Sequence, residues 1–130
     1  MRILLALVGG CVVLAGCGQE GAPAAITSGV TGLVHLGPQC PVEIAGQPCD
    51  DQPAAGVEVT VSKQAPGEAY GAGEPVAHGT TDGQGHFRID VAPGEYVVTA
   101  QAGMYCEFMD VRVTEGDYAA VDVPCDTGIR

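Results

Sequence analysis

Cationic and aromatic residues are scarce in this chain, and tryptophan and asparagine are absent. Five Lys and Arg stand against sixteen Asp and Glu in 130 residues, for a net charge of −11. Nucleic-acid binding needs cationic side chains to displace counterions from phosphate, so no nucleic-acid partner is expected. The same sign opposes adsorption of the folded domain to an anionic lipid surface. With aromatics at 5%, the core must be aliphatic, and the length allows one domain with one modest core. No apolar run is long enough for a membrane span. The longest, Ile3 to Gly16, would cover about 21 Å as a helix, against a hydrocarbon thickness of about 30 Å. Glycine (20) and proline (9) together make about a fifth of the chain, which reads as turn-rich.

What is present begins with an address. Met1 and Arg2 form a short positive start, and the apolar stretch that follows has the length of a signal-peptide core. It ends in Leu14-Ala15-Gly16-Cys17, which resembles the lipobox of bacterial lipoproteins. The resemblance implies cleavage before Cys17, a diacylglyceryl group on its thiol and further acylation such as palmitate. Two or more chains anchor a protein stably where one does not. Residues 1–16 are then a signal peptide and 17–28 a lipidated cysteine with a Gly/Ala/Pro-rich flexible tether. Residues 29–130 form the domain. The expected place is the cell envelope, lipid-anchored on the extracytoplasmic side; Gly18, in place of Asp, permits outer-membrane delivery if the cell is diderm.

With Cys11 in the leader and Cys17 lipidated, Cys40, Cys49, Cys106 and Cys125 remain, an even set in an exported domain. Three pairings are possible. Cys40–Cys49 and Cys106–Cys125 are favoured because each closes a loop between neighbouring segments. Structural zinc favours close C-x₂₋₄-C pairs, and none of these spacings fits. A blue-copper site needs a histidine downstream of the cysteine, and none follows Cys106. No cofactor is expected.

The mature chain alternates with period two. Val57, Val59 and Val61 are interleaved with Glu58, Thr60 and Ser62, and Phe87, Ile89 and Val91 with Arg88 and Asp90. Tyr96, Val98 and Ala100 follow, then Val111 and Val113, then Val121 and Val123. This is the pattern of strands with one face buried. No ten-residue segment keeps a helical period. Turns read at Thr81–Gly85, Ala92–Glu95 and Glu115–Asp117. The spacing predicts seven strands near 30–36, 57–63, 75–81, 86–91, 95–102, 107–114 and 118–124. The expected fold class is all-β, a seven-stranded antiparallel β-sandwich.

Gly56-Val57-Glu58-Val59-Thr60-Val61, Thr81-Asp82-Gly83-Gln84-Gly85-His86-Phe87 and Ala92-Pro93-Gly94-Glu95-Tyr96-Val97-Val98, in this order, resemble the carboxypeptidase regulatory-like domain. The resemblance covers residues 29–125 and implies an immunoglobulin-like, prealbumin-like (transthyretin-like) sandwich. That module is the accessory sandwich beside a peptidase. The chain has no His-x-x-Glu zinc pair, so it reads as not an enzyme. Transthyretin-related hydroxyisourate hydrolases carry a C-terminal Tyr-Arg-Gly tetrapeptide, and the ending Gly128-Ile129-Arg130 does not reproduce it. A small hydrolase of that type is the alternative, and it needs His35, His78 and His86 to converge. If residues 82–85 close a hairpin, His78 and His86 point to opposite sides of one sheet.

Related adhesin repeats imply an isopeptide bond, here from Lys63, the only lysine, to Asp122. The glutamate that would catalyse it falls at Ala100 or Gln101 and is missing. Asp50 and Asp51 are weak calcium candidates, as in a calcium-dependent adhesin, although adjacent side chains tend to diverge. The leading expectation is a monomeric, lipid-anchored structural or binding module. Its partners are the bilayer through Cys17 and an envelope protein or carbohydrate. Loops 37–56 and 64–75, with Tyr70, are the expected contact surfaces.

Overall fold

A computed structural model describes residues 27–42, 44–67 and 71–130. The leader, Cys17, most of the tether and Tyr70 lie outside them. Nine strands follow in order: β1 (Gly29–Gly37), β2 (Gln52–Pro53), β3 (Glu58–Gln64), β4 (Ala72–Thr80), β5 (His86–Asp90), β6 (Gly94–Gln101), β7 (Tyr105–Cys106), β8 (Met109–Val113) and β9 (Tyr118–Asp126). They form two stacked sheets. One runs β2-β1-β9-β7, with β5 also pairing β1, and the other runs β4-β3-β6-β8.

The period-two residues meet between the sheets. Val30, Val34, Val59, Val61, Val98 and Val123 are fully buried, and Phe87, Ile89, Tyr96, Val111 and Val121 complete a mainly aliphatic core. β5, β8 and β9 thus direct their apolar sets inward and their polar sets to water. Val97 departs from the alternation. It lies on the outer side of β6, opposite Ser62, yet both are buried. The Gln64 amide reaching Asp110 links the strands that flank β6.

The all-β two-sheet sandwich expected from the alternation is observed, with three differences in detail. Two strands beyond the expected seven are present, β2 and β7, each of two residues, too short to show a period. The pairing is not wholly antiparallel: β1 and β9 run parallel, in register from Gly29 with Tyr118 to Gly37 with Asp126. Alternation records which face is buried and carries no information on direction.

The third difference concerns Thr81–Gly85. This segment is not a hairpin within one sheet, because β4 pairs β3 while β5 pairs β1. The chain crosses between sheets there. Thr81 holds the crossing: its hydroxyl donates to the Ala54 carbonyl and accepts the Val57 N–H at 2.9 Å. Gly85 has φ of +80°, and a side chain there would press on the Val34 carbonyl, Leu33 and Pro53.

Disulfides join Cys40 to Cys49 and Cys106 to Cys125. The second spans the β7–β9 pair, where these residues are directly opposite. The first closes an exposed loop whose only regular pairing among the described residues is the bridge between Ile44 and Gln47.

A candidate groove on the outer face of the five-stranded sheet

The edge of β1 has two successive partners, and the join between them makes a groove. Gly29 to Leu33 pair with β5, while His35 and Leu36 pair with β2. Between them Val34 donates its N–H to Gly85 and accepts from Ala54, so the ladder passes from one partner to the next without a gap. Outside this junction lies a shallow cavity of about 490 Å³, lined by Leu33, His35, Asp51, Pro53, Gln84, His86 and Asp122. Strand register explains the grouping. His86 and Asp122 flank Leu33, Pro53 flanks His35, and all belong to the solvent face.

His35 Nδ1 lies 2.6 Å from an Asp51 carboxylate oxygen. Gly37 makes room for that carboxylate, since a Cβ there would overlap it. A carboxylate on Nδ1 selects the tautomer with Nε2 as the free acceptor, the arrangement that lets an imidazole act as a base. The turn carrying Gln84 and His86 is fixed by Asp82. Its carboxylate accepts the N–H groups of Gln84 at 2.8 Å and His86 at 3.0 Å. Those two backbone bonds, led by that from His86, hold the Asp82 carboxyl below its ordinary pKa.

Farther along the same face Tyr118 reaches across Gly29 to bond Asp90 at 2.7 Å. The Arg88 guanidinium carbon lies 3.9 Å from the centre of the Tyr118 ring, and its bond to Tyr118 pushes its pKa up.

The expected site residues are distributed unevenly. His35 and His86 converge on the groove. His78 is on the other sheet, beside Glu58 at 3.5 Å and Thr60 at 3.2 Å, because β4 and β5 do not share a sheet. Asp50 and Asp51 diverge: Asp51 lines the groove, while Asp50 borders a separate cavity with Ile44, Gly46 and Pro48. Among the described residues no cluster of three His, Cys, Asp or Glu is arranged to hold a metal. Lys63 is exposed on β3 of the four-stranded sheet and Asp122 lines the groove on the other, so the two are not brought together.

The two expected contact loops lie at opposite ends of the sandwich. Residues 38–51 follow the far end of β1. The segment after Gln64 lies at the near end, where Lys63 faces Tyr96 and Val91 bonds Ser28. The His35–Asp51 pair was not legible in the sequence. Its members are 16 residues apart and meet only because β2 returns to β1.

These features define a small, disulfide-braced β-sandwich domain with an open polar groove. The chain belongs to the carboxypeptidase regulatory-like domain family, which matches residues 46–125. Among solved structures it is similar to GBS52, the minor pilin of Streptococcus agalactiae, at 18% identity and a TM-score of 0.47. That likeness covers 76% of this chain and 43% of the pilin, so the chain spans under half the pilin's length. It is also similar to 5-hydroxyisourate hydrolase of Klebsiella pneumoniae, at 20% identity and a TM-score of 0.42, covering 75% of this chain and 90% of that one. A 9R-lipoxygenase from Cyanothece aligns at 11% identity and a TM-score of 0.45, covering 78% of this chain and 16% of the enzyme. No curated protein matches the chain.

Proposed function

We propose that this chain is a non-enzymatic β-sandwich of the cell envelope, anchored through lipid on Cys17 and serving as a structural or protein- or carbohydrate-binding module. The observation that carries the reading is the direction of β1. It starts at Gly29, where the tether ends, and runs nine residues away from that attachment point, about 26 Å from first to last Cα. The groove and the stapled loop 38–51 therefore stand toward the end remote from the anchor. Twelve tether residues add at most about 40 Å of reach. Two disulfides suit an oxidising, extracytoplasmic compartment.

The test is fractionation of cells expressing the full chain and its Cys17→Ala variant. The reading expects the first in the membrane fraction and the second released. Identical partitioning of both would contradict it.

One observation favours a second reading, a small hydrolase: His35, oriented by Asp51, and His86 open onto the same groove. Among the described residues, the groove lining holds no Ser, Cys, Lys or Arg to serve as nucleophile or to take up developing negative charge. Incubation with 5-hydroxyisourate separates the two. The binding-module reading expects decay at the spontaneous rate, while an acceleration lost on His35→Ala would favour the hydrolase.

A further inference from the structure

Among the described residues, the β9 edge of the five-stranded sheet has no strand along most of its length. β9 pairs with β1 along its whole length on one side. On the other side only Cys125 and Asp126 find a partner, in β7, and Glu107 donates its N–H to the Pro124 carbonyl. The chain then leaves for the other sheet at Met109. From Ala120 to Val123 no described strand pairs with this edge. Backbone groups of a strand alternate in direction, and the Pro124 carbonyl faces the β7 side. Ala120 and Asp122 share its parity, so their N–H and C=O groups face the open edge, and both residues are exposed.

The other edges carry the usual defences against added strands. β4 has Pro75 and two register shifts. β2 has two residues, and the five-residue strands β5 and β8 present Arg88 with Asp90 and Asp110 with Arg112. β9 has neither proline nor bulge between Tyr118 and Val123, and one charge, Asp122.

Charge selects the occupant. Asp117 stands at the start of the edge, Asp122 midway and Glu107 at its end. Two nearby cations are engaged: Arg88 stacks on Tyr118 from the β1 side, and Arg130 pairs with Asp126 at 3.0 Å. A second copy would set these carboxylates against their own kind in a chain of net charge −11. We propose that the β9 edge from Ala120 to Val123 binds an extended, lysine- or arginine-bearing segment of a partner protein as an added strand. This deepens the reading of the domain as a binding module, but it does not depend on lipidation.

The probe is a short peptide alternating threonine with lysine, added to the full chain in detergent micelles and followed by amide hydrogen exchange. Exchange at Ala120 and Asp122 is expected to slow by about tenfold or more on saturation. N-methylation of alternate peptide amides should abolish this, as should Ala120→Pro, which removes an edge donor. Asp122→Lys, which leaves the ladder to β1 intact, should shift preference to the glutamate counterpart of the peptide. Unchanged exchange, or binding that survives N-methylation, would overturn the proposal. So would a dimer in sedimentation with these amides already protected, since the occupant would then be a second copy. Release of the Cys17→Ala variant from membranes is scored separately, so failure of the anchor and failure of the edge are distinguishable.

Discussion

Replacing Cys106 and Cys125 together by alanine tests which covalent link the sandwich depends on. Both sulfurs are almost wholly buried in the core, where β7 faces β9. The bond spans a sequence separation of 19, for which chain entropy gives about 3.2 kcal/mol at 25 °C. Cys40–Cys49 spans a separation of 9, worth about 2.6 kcal/mol by the same relation. Structure widens that small difference. β7 has only two paired residues, so without the bond it leaves the β9 edge and the lost sulfurs open a cavity. The Cys106/Cys125 double variant is therefore expected to lose about 3–5 kcal/mol. The loop closed by Cys40–Cys49 is exposed, so its variant should lose no more than about 2.6 kcal/mol. Urea unfolding under non-reducing conditions, followed by circular dichroism, reads both values. For a domain of about 100 residues the first loss lowers Tm on the order of 12–25 °C. A Cys40/Cys49 variant as unstable as the Cys106/Cys125 variant would refute the reasoning.

Further variants test individual contacts. Thr81→Val keeps the shape but strips partners from the Ala54 carbonyl and the Val57 N–H, and should cost about 2–4 kcal/mol in the same urea unfolding; a neutral result would mean that Thr81 does not hold the crossing. Gly32→Ala places a methyl on the Val121 carbonyl and within 2.8 Å of Phe87 Cζ, so a loss of about 1–3 kcal/mol is expected from the parallel β1–β9 pair. Asp82 has a lowered folded pKa, so its contribution is present above its ordinary value of 3.8 and is lost as pH falls through the folded value. The Tm gap between wild type and Asp82→Ala should accordingly narrow as pH falls below 3.8, and a gap that grows on acidification would show the sign to be wrong.

The strands were legible where one face is buried and the other wet. Val57–Ser62, Phe87–Asp90 and Val111–Val113 each announce themselves by alternation, and each is found in a strand or at its boundary. Val97 was not legible, because its burial comes from neighbours on the outer side of the sheet rather than from the core. Pairing direction was hidden for the same physical reason: β1 and β9 would alternate identically if antiparallel. The Thr81–Gly85 turn was visible, but its destination was set by hydrogen bonds to Ala54 and Val57, 27 and 24 residues away. The groove depends wholly on such distant meetings. His35 could be placed on the wet face of β1 by parity, yet nothing local ties it to Asp51 or to His86.

The central claim, a sandwich held at the envelope by lipid with its groove and stapled loop directed away, rests most directly on the state of Cys17. The decisive measurement is mass spectrometry of the N-terminal peptide of the full chain extracted from the envelope fraction. The account predicts a mature chain beginning at Cys17 and carrying a diacylglyceryl group with further acylation. A chain beginning at any other residue, or an unmodified Cys17, would contradict it.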